Sequence, residues 1–397
     1  MRLLAKIVAI ALLLLAPPAL AKPVAVLAAG AVAAPDRYGA LAAEEILKAG
    51  GNAVDAAVAT GFALAVTYPE AGNLGGGGFM TLYVGGKPYF LDYRETAPAA
   101  ASADMYLGKD DEPVEGLSLY GNLASGTPGT VRGLAMAHKR FGKLSWARVL
   151  APAIRYARDG FTVNAQFSGM LAGEVPPQFK GTNFRTYFGS HKAGTLFKQP
   201  DLAATLERIA RGGDKAFYEG ETADLIVAQM GRGPVKGLIT KADLAGYKAV
   251  WRAPVTAKWR GYDVITAPPP SSGGIALMQM LLMKQDLAPS FKGVGLNDPQ
   301  YVHLLAEIEK RVYADRAEYL GDPDFVKVPV SNLIDPAYVA RRAREVDPDR
   351  PSPSKAVVPG LEKPQTTHYS IVDKWGNAVS NTYTLNGWFG SGVVVEG

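Results

Sequence analysis

The chain has 397 residues, of which 48% are hydrophobic, so it can bury a substantial core. Its formal net charge is only +5 and no run of Lys or Arg stands out, which argues against nucleic acid or an anionic membrane as a partner. The absence of cysteine excludes disulfides, thiol nucleophiles and thiolate metal sites.

The first 21 residues have the pattern of a secretory signal peptide. Arg2 and Lys6 give a positively charged start, residues 7–16 form an apolar run, and Ala19-Leu20-Ala21 fits an A-x-A cleavage site. The apolar run is too short to span a bilayer as a helix. We therefore expect export to the periplasm or the medium; an apolar N-terminal core helix is the alternative.

Two helices are predicted over residues 33–70. The first is amphipathic and ends at Gly50-Gly51. The second begins after Asn52, a suitable N-cap, and ends at Pro69. Because its residues are apolar nearly all round, we expect it to be buried.

A hairpin follows the second helix. Two strand-like runs are joined at Gly85-Gly86, a typical two-residue turn, and the resulting register places Arg94 opposite Gly77. The preceding segment, GNLGGGGF, lacks the Lys-[Ser/Thr] of a phosphate-binding loop. We interpret its glycines as sites of close backbone packing.

Residues 129–332 are predicted to be mostly helical. Ser145 can cap a helix that stops at Gly160, and Thr240 with Asp243 resembles a capping box. Residues 253–267 form a short hairpin pattern. A long helix over 299–320 is expected to bury one face, formed by Val302, Leu305, Ile308 and Val312.

A proline-rich linker over residues 348–365 precedes the last predicted hairpin. Its strands, TTHYSIVD and NAVSNTYTLN, flank a three-residue turn with Gly376 in the left-handed position. This register places Thr366 opposite Thr384, with Cβ atoms roughly 4.5–5.5 Å apart. Asn386 lies on the same face of the second strand as Thr384.

Thr366 is a candidate nucleophile if the chain is cut on its amino side. A threonine hydroxyl is a weak nucleophile that an adjacent amine can activate. A new α-amino group at Thr366 would have a pKa of about 7.7–8.0, near the working pH of a general base. Alternatively, Thr366 and Thr367 merely open a strand, where β-branched residues are favoured.

Five blocks of the chain carry a family resemblance: GGNAVDAAVATGFALAVTYPEAGNLGGGGFM, DYRETAP, GTPGTVRG, PPPSSGG and TTHYSIVDKWGNAVSNTYTLN. In this order they resemble γ-glutamyltransferases (glutathione hydrolases), of the N-terminal nucleophile hydrolase class. The resemblance implies an α/β (α+β) fold, an αββα four-layer sandwich that is incomplete at the C-terminus here. It also implies a precursor that cleaves itself between Gln365 and Thr366. The chain would then comprise a signal peptide (1–21), a large-subunit portion (22–365) and the start of a small subunit (366–397).

The same resemblance assigns the site residues. Thr366 matches the nucleophile, while Thr384 and Asn386 match positions that contact its amine and the bound glutamyl group. Arg94 matches the residue that grips the substrate's α-carboxylate, although a strand-end salt bridge is the alternative. The implied reaction transfers the γ-glutamyl group of glutathione or a similar amide to water, an amino acid or a peptide. It implies no metal and no organic cofactor, and the four histidines receive no role.

The sequence departs from the family where it stops. In the family, the segment after the nucleophile continues well beyond the position of Gly397 and supplies the oxyanion donors, so we expect this chain alone to be inactive. Two alternatives stay open. A β-lactam (cephalosporin) acylase of the same class would keep Thr366 with another pocket, and an exported, non-catalytic binding protein would stay uncut.

Overall fold

The computed structural model describes residues 30–172, 179, 181–353 and 367–397. The predicted signal peptide, most of the predicted linker and Thr366 lie outside the described residues. The division of the chain at residues 21 and 365 therefore stays a prediction.

The centre of the structure is a six-stranded sheet in which all neighbours run antiparallel, in the order β1-β9-β10-β2-β3-β6. Two further two-stranded sheets pair β4 with β5 and β7 with β8. The strands are β1 Ala31–Ala33, β2 Gly77–Val84, β3 Lys87–Asp92, β4 Phe161–Thr162, β5 Leu196–Phe197, β6 Val250–Arg252, β7 Val255–Trp259, β8 Tyr262–Thr266, β9 Thr367–Val372 and β10 Ala378–Thr384.

Helices make up about half of the described chain between β3 and β9. One short 3₁₀ helix lies at Asn122–Ala124. The α-helices are α1 Arg37–Lys48, α2 Ala53–Thr67, α3 Thr130–Phe141, α4 Trp146–Asp159, α5 Ala165–Ala172, α6 Phe184–Phe188, α7 Pro200–Gly212, α8 Lys215–Tyr218, α9 Glu221–Met230, α10 Lys241–Gly246, α11 Gly273–Asp286, α12 Pro299–Tyr319, α13 Val330–Leu333 and α14 Pro336–Arg344.

Helix α2 is the buried helix that the sequence predicts. All of its residues are buried, and Asn52 and Asp55 form a reciprocal capping box at its start. Asp373, in the last hairpin, also accepts the N–H of Ala53 at 3.0 Å. The amino end of α2 is thus capped both by its own residues and by the last hairpin.

The last hairpin packs against α2 through two tyrosines. Tyr369 and Tyr383 are fully buried, and their hydroxyls donate to the carbonyls of Ala57 (2.8 Å) and Gly61 (2.9 Å). Because buried hydroxyls need a partner, these bonds fix β9 and β10 on the helix. The described residues thus place a buried helix against one face of the central sheet, and their mixture of helices and sheets confirms the α+β class.

The predicted hairpin registers are confirmed where they are described. In the first, Val84 pairs with Lys87 across the Gly85-Gly86 turn. In the last, Thr367 pairs with Tyr383, and Gly376 has a φ of 78°. The β7–β8 hairpin and the capping box of Thr240 with Asp243 are also as predicted. Ser145 takes the N-cap position of α4, but its side chain makes no capping hydrogen bond.

The predicted face of α12 is partly wrong. Val302 is 54% exposed. Leu304 is fully buried, whereas Leu305, which the sequence predicts to be buried, is only half-buried. The buried face also includes three charged residues, Glu307, Arg311 and Asp315. Arg311 pairs with Glu307 at 2.9 Å and Arg342 pairs with Asp315 at 3.1 Å. Because these charges are paired, they can be buried, and a search for apolar residues alone does not identify them as part of the buried face.

Candidate active site

Two of the predicted site residues, Arg94 and Thr384, lie in one row across the central sheet, on either side of Gly77. Gly77 pairs with Thr384 across β2 and β10. On its other side, Gly78 and Tyr93 exchange backbone hydrogen bonds, so Arg94 lies beside Gly77 as the register predicts. Since adjacent strands are about 4.8 Å apart, the backbones of Arg94 and Thr384 are separated by roughly 10 Å.

The glycine-rich segment permits this close approach. A Cβ on Gly76 would collide with the carbonyl oxygen of Thr384, and one on Gly77 would collide with the backbone nitrogen of Glu95. Asn73 holds the segment in place, because its Oδ1 accepts the N–H of Gly76 at 2.9 Å. These contacts confirm the packing interpretation of GNLGGGGF.

Thr384 and Asn386 lie together at the end of β10. The backbone N–H of Asn386 donates to Thr384 Oγ1 at 2.8 Å. Asn386 has a φ of 72°, a left-handed conformation that asparagine tolerates better than most residues. The turn leaves Thr384 half-buried and Asn386 exposed next to it.

The described ladder between β9 and β10 ends one residue short of Thr366. Its last pair is Thr367 with Tyr383. Thr367 is buried, and its Oγ1 has no hydrogen-bond partner in the described part of the chain. Thr366 itself lies outside the described residues, so its contact with Thr384 stays a prediction.

Arg94 presents its side chain to solvent from a fixed backbone. Its guanidinium lies 5.9 Å from the ring centre of Phe79, and no carboxylate of the described residues forms a salt bridge with it. The backbone N–H of Arg94 donates to Asp92 Oδ1 at 3.1 Å, and the Tyr247 hydroxyl donates to the Arg94 carbonyl at 2.7 Å. A strand-end salt bridge, the alternative role for Arg94, is absent from this part of the structure.

His368 forms a polar cluster on the sheet face opposite α2. Its Nδ1 lies 2.7 Å from Thr382 Oγ1 and its Nε2 lies 3.0 Å from Ser370 Oγ. Burial lowers the pKa of the His368 imidazole, which favours its neutral form at neutral pH. One ring nitrogen then donates while the other accepts, which suits two hydroxyl partners.

The residues that hold Arg94 and the glycine-rich segment are not among those predicted from the sequence. Asp92 precedes Arg94 by two residues, the spacing of an Asx turn, and this signal is present in the sequence. Tyr247 lies 153 residues from Arg94 in sequence, and Thr130 lies 57 residues from Asn73, to which it donates at 2.6 Å. Such distant contacts leave no local sequence pattern.

Comparison with known proteins decides the family. The family model described as gamma-glutamyltranspeptidase matches residues 39–397. The chain belongs to the gamma-glutamyltranspeptidase family. It is 64% identical to a glutathione hydrolase proenzyme of Pseudomonas aeruginosa over 94% of this chain and 67% of that protein. It also resembles the solved gamma-glutamyltranspeptidase from Pseudomonas nitroreducens complexed with L-DON, with a TM-score of 0.81, 60% identity and coverage of 85% of this chain and 100% of that chain.

Acylases are more distant members of the same group of relatives. The chain is 38% identical to an Acylase ACY 1 proenzyme of Pseudomonas sp. strain SE83, over 90% of this chain and 65% of that protein. These likenesses confirm the N-terminal nucleophile hydrolase fold. The chain spans about two thirds of the length of the curated relatives it matches.

Proposed function

We propose that this chain contributes the large subunit and the start of the small subunit of an enzyme that transfers or hydrolyses γ-glutamyl groups. The donor is glutathione or another γ-glutamyl amide, and the acceptor is water, an amino acid or a peptide. The observation that carries the proposal is the sheet row in which Gly77 lies between Arg94 and Thr384. It supports a site with a carboxylate-binding cation and a hydroxyl at the same end of the sheet.

Thr366 is the proposed nucleophile, and its activation begins with cleavage of the chain. Its Oγ attacks the Gln365 carbonyl carbon, the peptide nitrogen leaves as an amine, and an ester forms. Water then hydrolyses this ester, which releases the Gln365 carboxylate and leaves Thr366 with a free hydroxyl and a free α-amine. The ordinary pKa of an α-amine, about 7.7–8.0, suits this group to serve as the general base.

Catalysis then proceeds in two acyl transfers. The α-amine takes the hydroxyl proton as Thr366 Oγ attacks the γ-carbonyl carbon, and it returns a proton to the departing amine. Water or an acceptor amine attacks the resulting γ-glutamyl ester and regenerates the hydroxyl. If the β9–β10 ladder continues by one pair, Thr384 is opposite Thr366 and can orient the hydroxyl or the amine.

Arg94 is proposed to bind the α-carboxylate of the γ-glutamyl group. Its guanidinium is exposed and has no carboxylate partner within the described ranges, and its planar fork suits a carboxylate. Three carbons separate the α-carboxylate from the γ-carbonyl of glutamate. This spacer and the long arginine side chain together span the roughly 10 Å between the backbones of Arg94 and Thr384, which are separated by strand β2. Asn386, beside Thr384, is proposed as a second contact to the glutamyl group.

Acylase activity is the second candidate, supported by the likeness to the Acylase ACY 1 proenzyme. An assay with γ-glutamyl-p-nitroanilide and a glutaryl-cephalosporin separates the two, using protein produced from the complete natural gene. We expect the γ-glutamyl substrate to be preferred and Arg94→Gln to weaken its binding. Preference for the glutaryl substrate, which keeps the terminal carboxylate but lacks the α-amine, would assign the protein to the acylases.

The proposed setting is the periplasm or the medium, with large and small subunits derived from one precursor. This setting rests on the signal-peptide pattern at the N-terminus. Among the described residues, no helix combines the length and apolar character needed to cross a membrane. Fractionation of the producing cell, with the mature N-terminus determined by mass spectrometry, tests the location.

A further inference from the structure

We infer that Asp92 and Tyr247 are positioning residues that set substrate affinity by fixing the backbone of Arg94 from both sides. The inference rests on the proposed function, in which the Arg94 guanidinium binds the α-carboxylate of the γ-glutamyl group. Neither Asp92 nor Tyr247 is proposed to touch the substrate.

Arg94 needs such support because it lies beyond the end of its strand. Strand β3 ends at Asp92, and Tyr93 makes the last backbone exchange with Gly78. The peptide groups of Arg94 therefore find side-chain partners: Asp92 Oδ1 accepts its N–H at 3.1 Å, and the Tyr247 hydroxyl donates to its carbonyl at 2.7 Å. The guanidinium stays exposed while both backbone groups are bound.

Tyr247 is itself held rigidly. Its ring stacks on that of Tyr218, with ring centres 5.9 Å apart and planes 6° apart. Its hydroxyl also lies against Gly129, where a Cβ would collide with the phenol oxygen. Burial raises the pKa of Tyr247 well above its usual range, so the phenol keeps its proton and remains a donor to Arg94.

Asp92 is held through a chain of ion pairs. Its Oδ2 accepts a hydrogen bond from Arg252 Nε at 2.7 Å, while its Oδ1 accepts the backbone N–H of Arg94. Arg252 in turn binds both oxygens of Asp324, at 2.9 and 2.8 Å. The Asp92 carboxylate is thus buried with both oxygens occupied, which restricts the rotation of its side chain.

Loss of either bond should affect substrate binding more than chemistry. A contact to the α-carboxylate is made equally in the bound substrate and in the transition state, so weakening it raises KM while kcat is preserved. A freed Arg94 backbone samples more positions, and its guanidinium must be ordered again at each binding event.

The test uses Tyr247→Phe in the protein produced from its complete natural gene. The variant removes only the hydroxyl and keeps the stack on Tyr218. We expect KM for γ-glutamyl-p-nitroanilide to rise about fivefold, as for the loss of one ordering hydrogen bond, with kcat changed by less than about twofold. Asp92→Asn should also raise KM. Both oxygens of Asp92 accept hydrogen bonds, and in asparagine one of them becomes an NH2 group, which cannot accept from Arg94 or Arg252.

Tyr218→Phe is the matched control. It also removes a buried tyrosine hydroxyl, which donates to the Pro128 carbonyl at 3.0 Å and accepts the N–H of Arg132 at 3.1 Å but makes no hydrogen bond to Arg94. We expect a loss of thermal stability at least as large as that of Tyr247→Phe, with an unchanged KM. A second control is 4-aminobutanoyl-p-nitroanilide, which lacks the α-carboxylate, and on which Tyr247→Phe should have no effect.

Arg94→Gln separates the two possible failures. If it raises KM while Tyr247→Phe and Asp92→Asn do not, the positioning role is overturned and the role of Arg94 stands. If Arg94→Gln leaves KM unchanged, the carboxylate-binding role of Arg94 is wrong and the inference falls with it. An equal KM rise in Tyr218→Phe and Tyr247→Phe would also overturn the inference, because it would mark a general loss of structure.

Discussion

Thr384 pairs with Gly77, and its carbonyl lies so close to Gly76 that no side chain fits between them. The end of strand β10, which follows the proposed cleavage position in sequence, is thereby held against the start of strand β2. The proposed site depends on this contact between two segments that are about 300 residues apart in the chain.

Gly76→Ala tests this contact through stability. The new Cβ would meet the Thr384 carbonyl, which belongs to the backbone and cannot rotate away, so the strands must separate. We expect a loss of about 1–3 kcal/mol in the free energy of unfolding, measured in urea. Gly75→Ala is the matched control, because its Cβ would meet nothing within 4 Å. Equal effects of the two variants would show that the glycines are not selected by packing.

Asp373→Ala tests how the last hairpin is attached to α2. Asp373 Oδ1 accepts the N–H groups of Trp375 and Asn377, both at 2.9 Å, while Oδ2 accepts the N–H of Ala53. Removing the carboxylate leaves these donors without a partner, so we expect a loss of about 3 kcal/mol in stability. Lys374→Ala, an exposed position in the same turn, should cost less than about 0.5 kcal/mol. A small effect of Asp373→Ala would mean that the turn does not depend on this cap.

Glu70 predicts a pH-dependent stability. Burial raises its pKa to about 7, its backbone hydrogen bond opposes this, and the nearby Asp36 charge adds to it. Its Oε2 also has no hydrogen-bond partner among the described residues. Because the pKa is higher in the folded state than its ordinary 4.5, the protonated form favours folding. The associated stability is fully present below pH 4.5 and is lost as the pH rises through about 7.

Glu70→Gln removes this dependence. We expect the variant to match the wild type at pH 4.5 and to be more stable at pH 8, by on the order of 2 kcal/mol in urea unfolding. Glu112→Gln, on the exposed surface, controls for the change of charge. A stability difference that is the same at both pH values would rule out a titrating Glu70.

The local parts of the fold could be predicted from sequence because particular residues specify them. Gly85-Gly86 and Gly376 adopt positive φ angles that hairpin turns require, and these turns set the registers on either side. Asn52 marks the start of α2 in the same way. The turn at Gly85-Gly86 is sufficient to predict that Arg94 lies beside Gly77.

The non-local parts could not be predicted in this way. Strands β9 and β10 insert between β1 and β2, and no turn signal specifies an order that joins distant segments. The same holds for Tyr247, which directly follows α10 and contacts Arg94 across 153 residues of sequence. On α12, the buried Glu307 and Arg311 look like surface residues until their pairing is seen.

The most direct test of the account is the mass of the subunits made from the complete natural gene. We predict two fragments, with Thr366 at the N-terminus of the smaller one, in the wild type and in Thr367→Ala. Thr366→Ala should remain a single chain, because it lacks the hydroxyl that attacks the Gln365 carbonyl. An uncut wild type, or cleavage at the same bond in Thr366→Ala, would contradict the proposal that Thr366 frees its own amine and becomes the nucleophile.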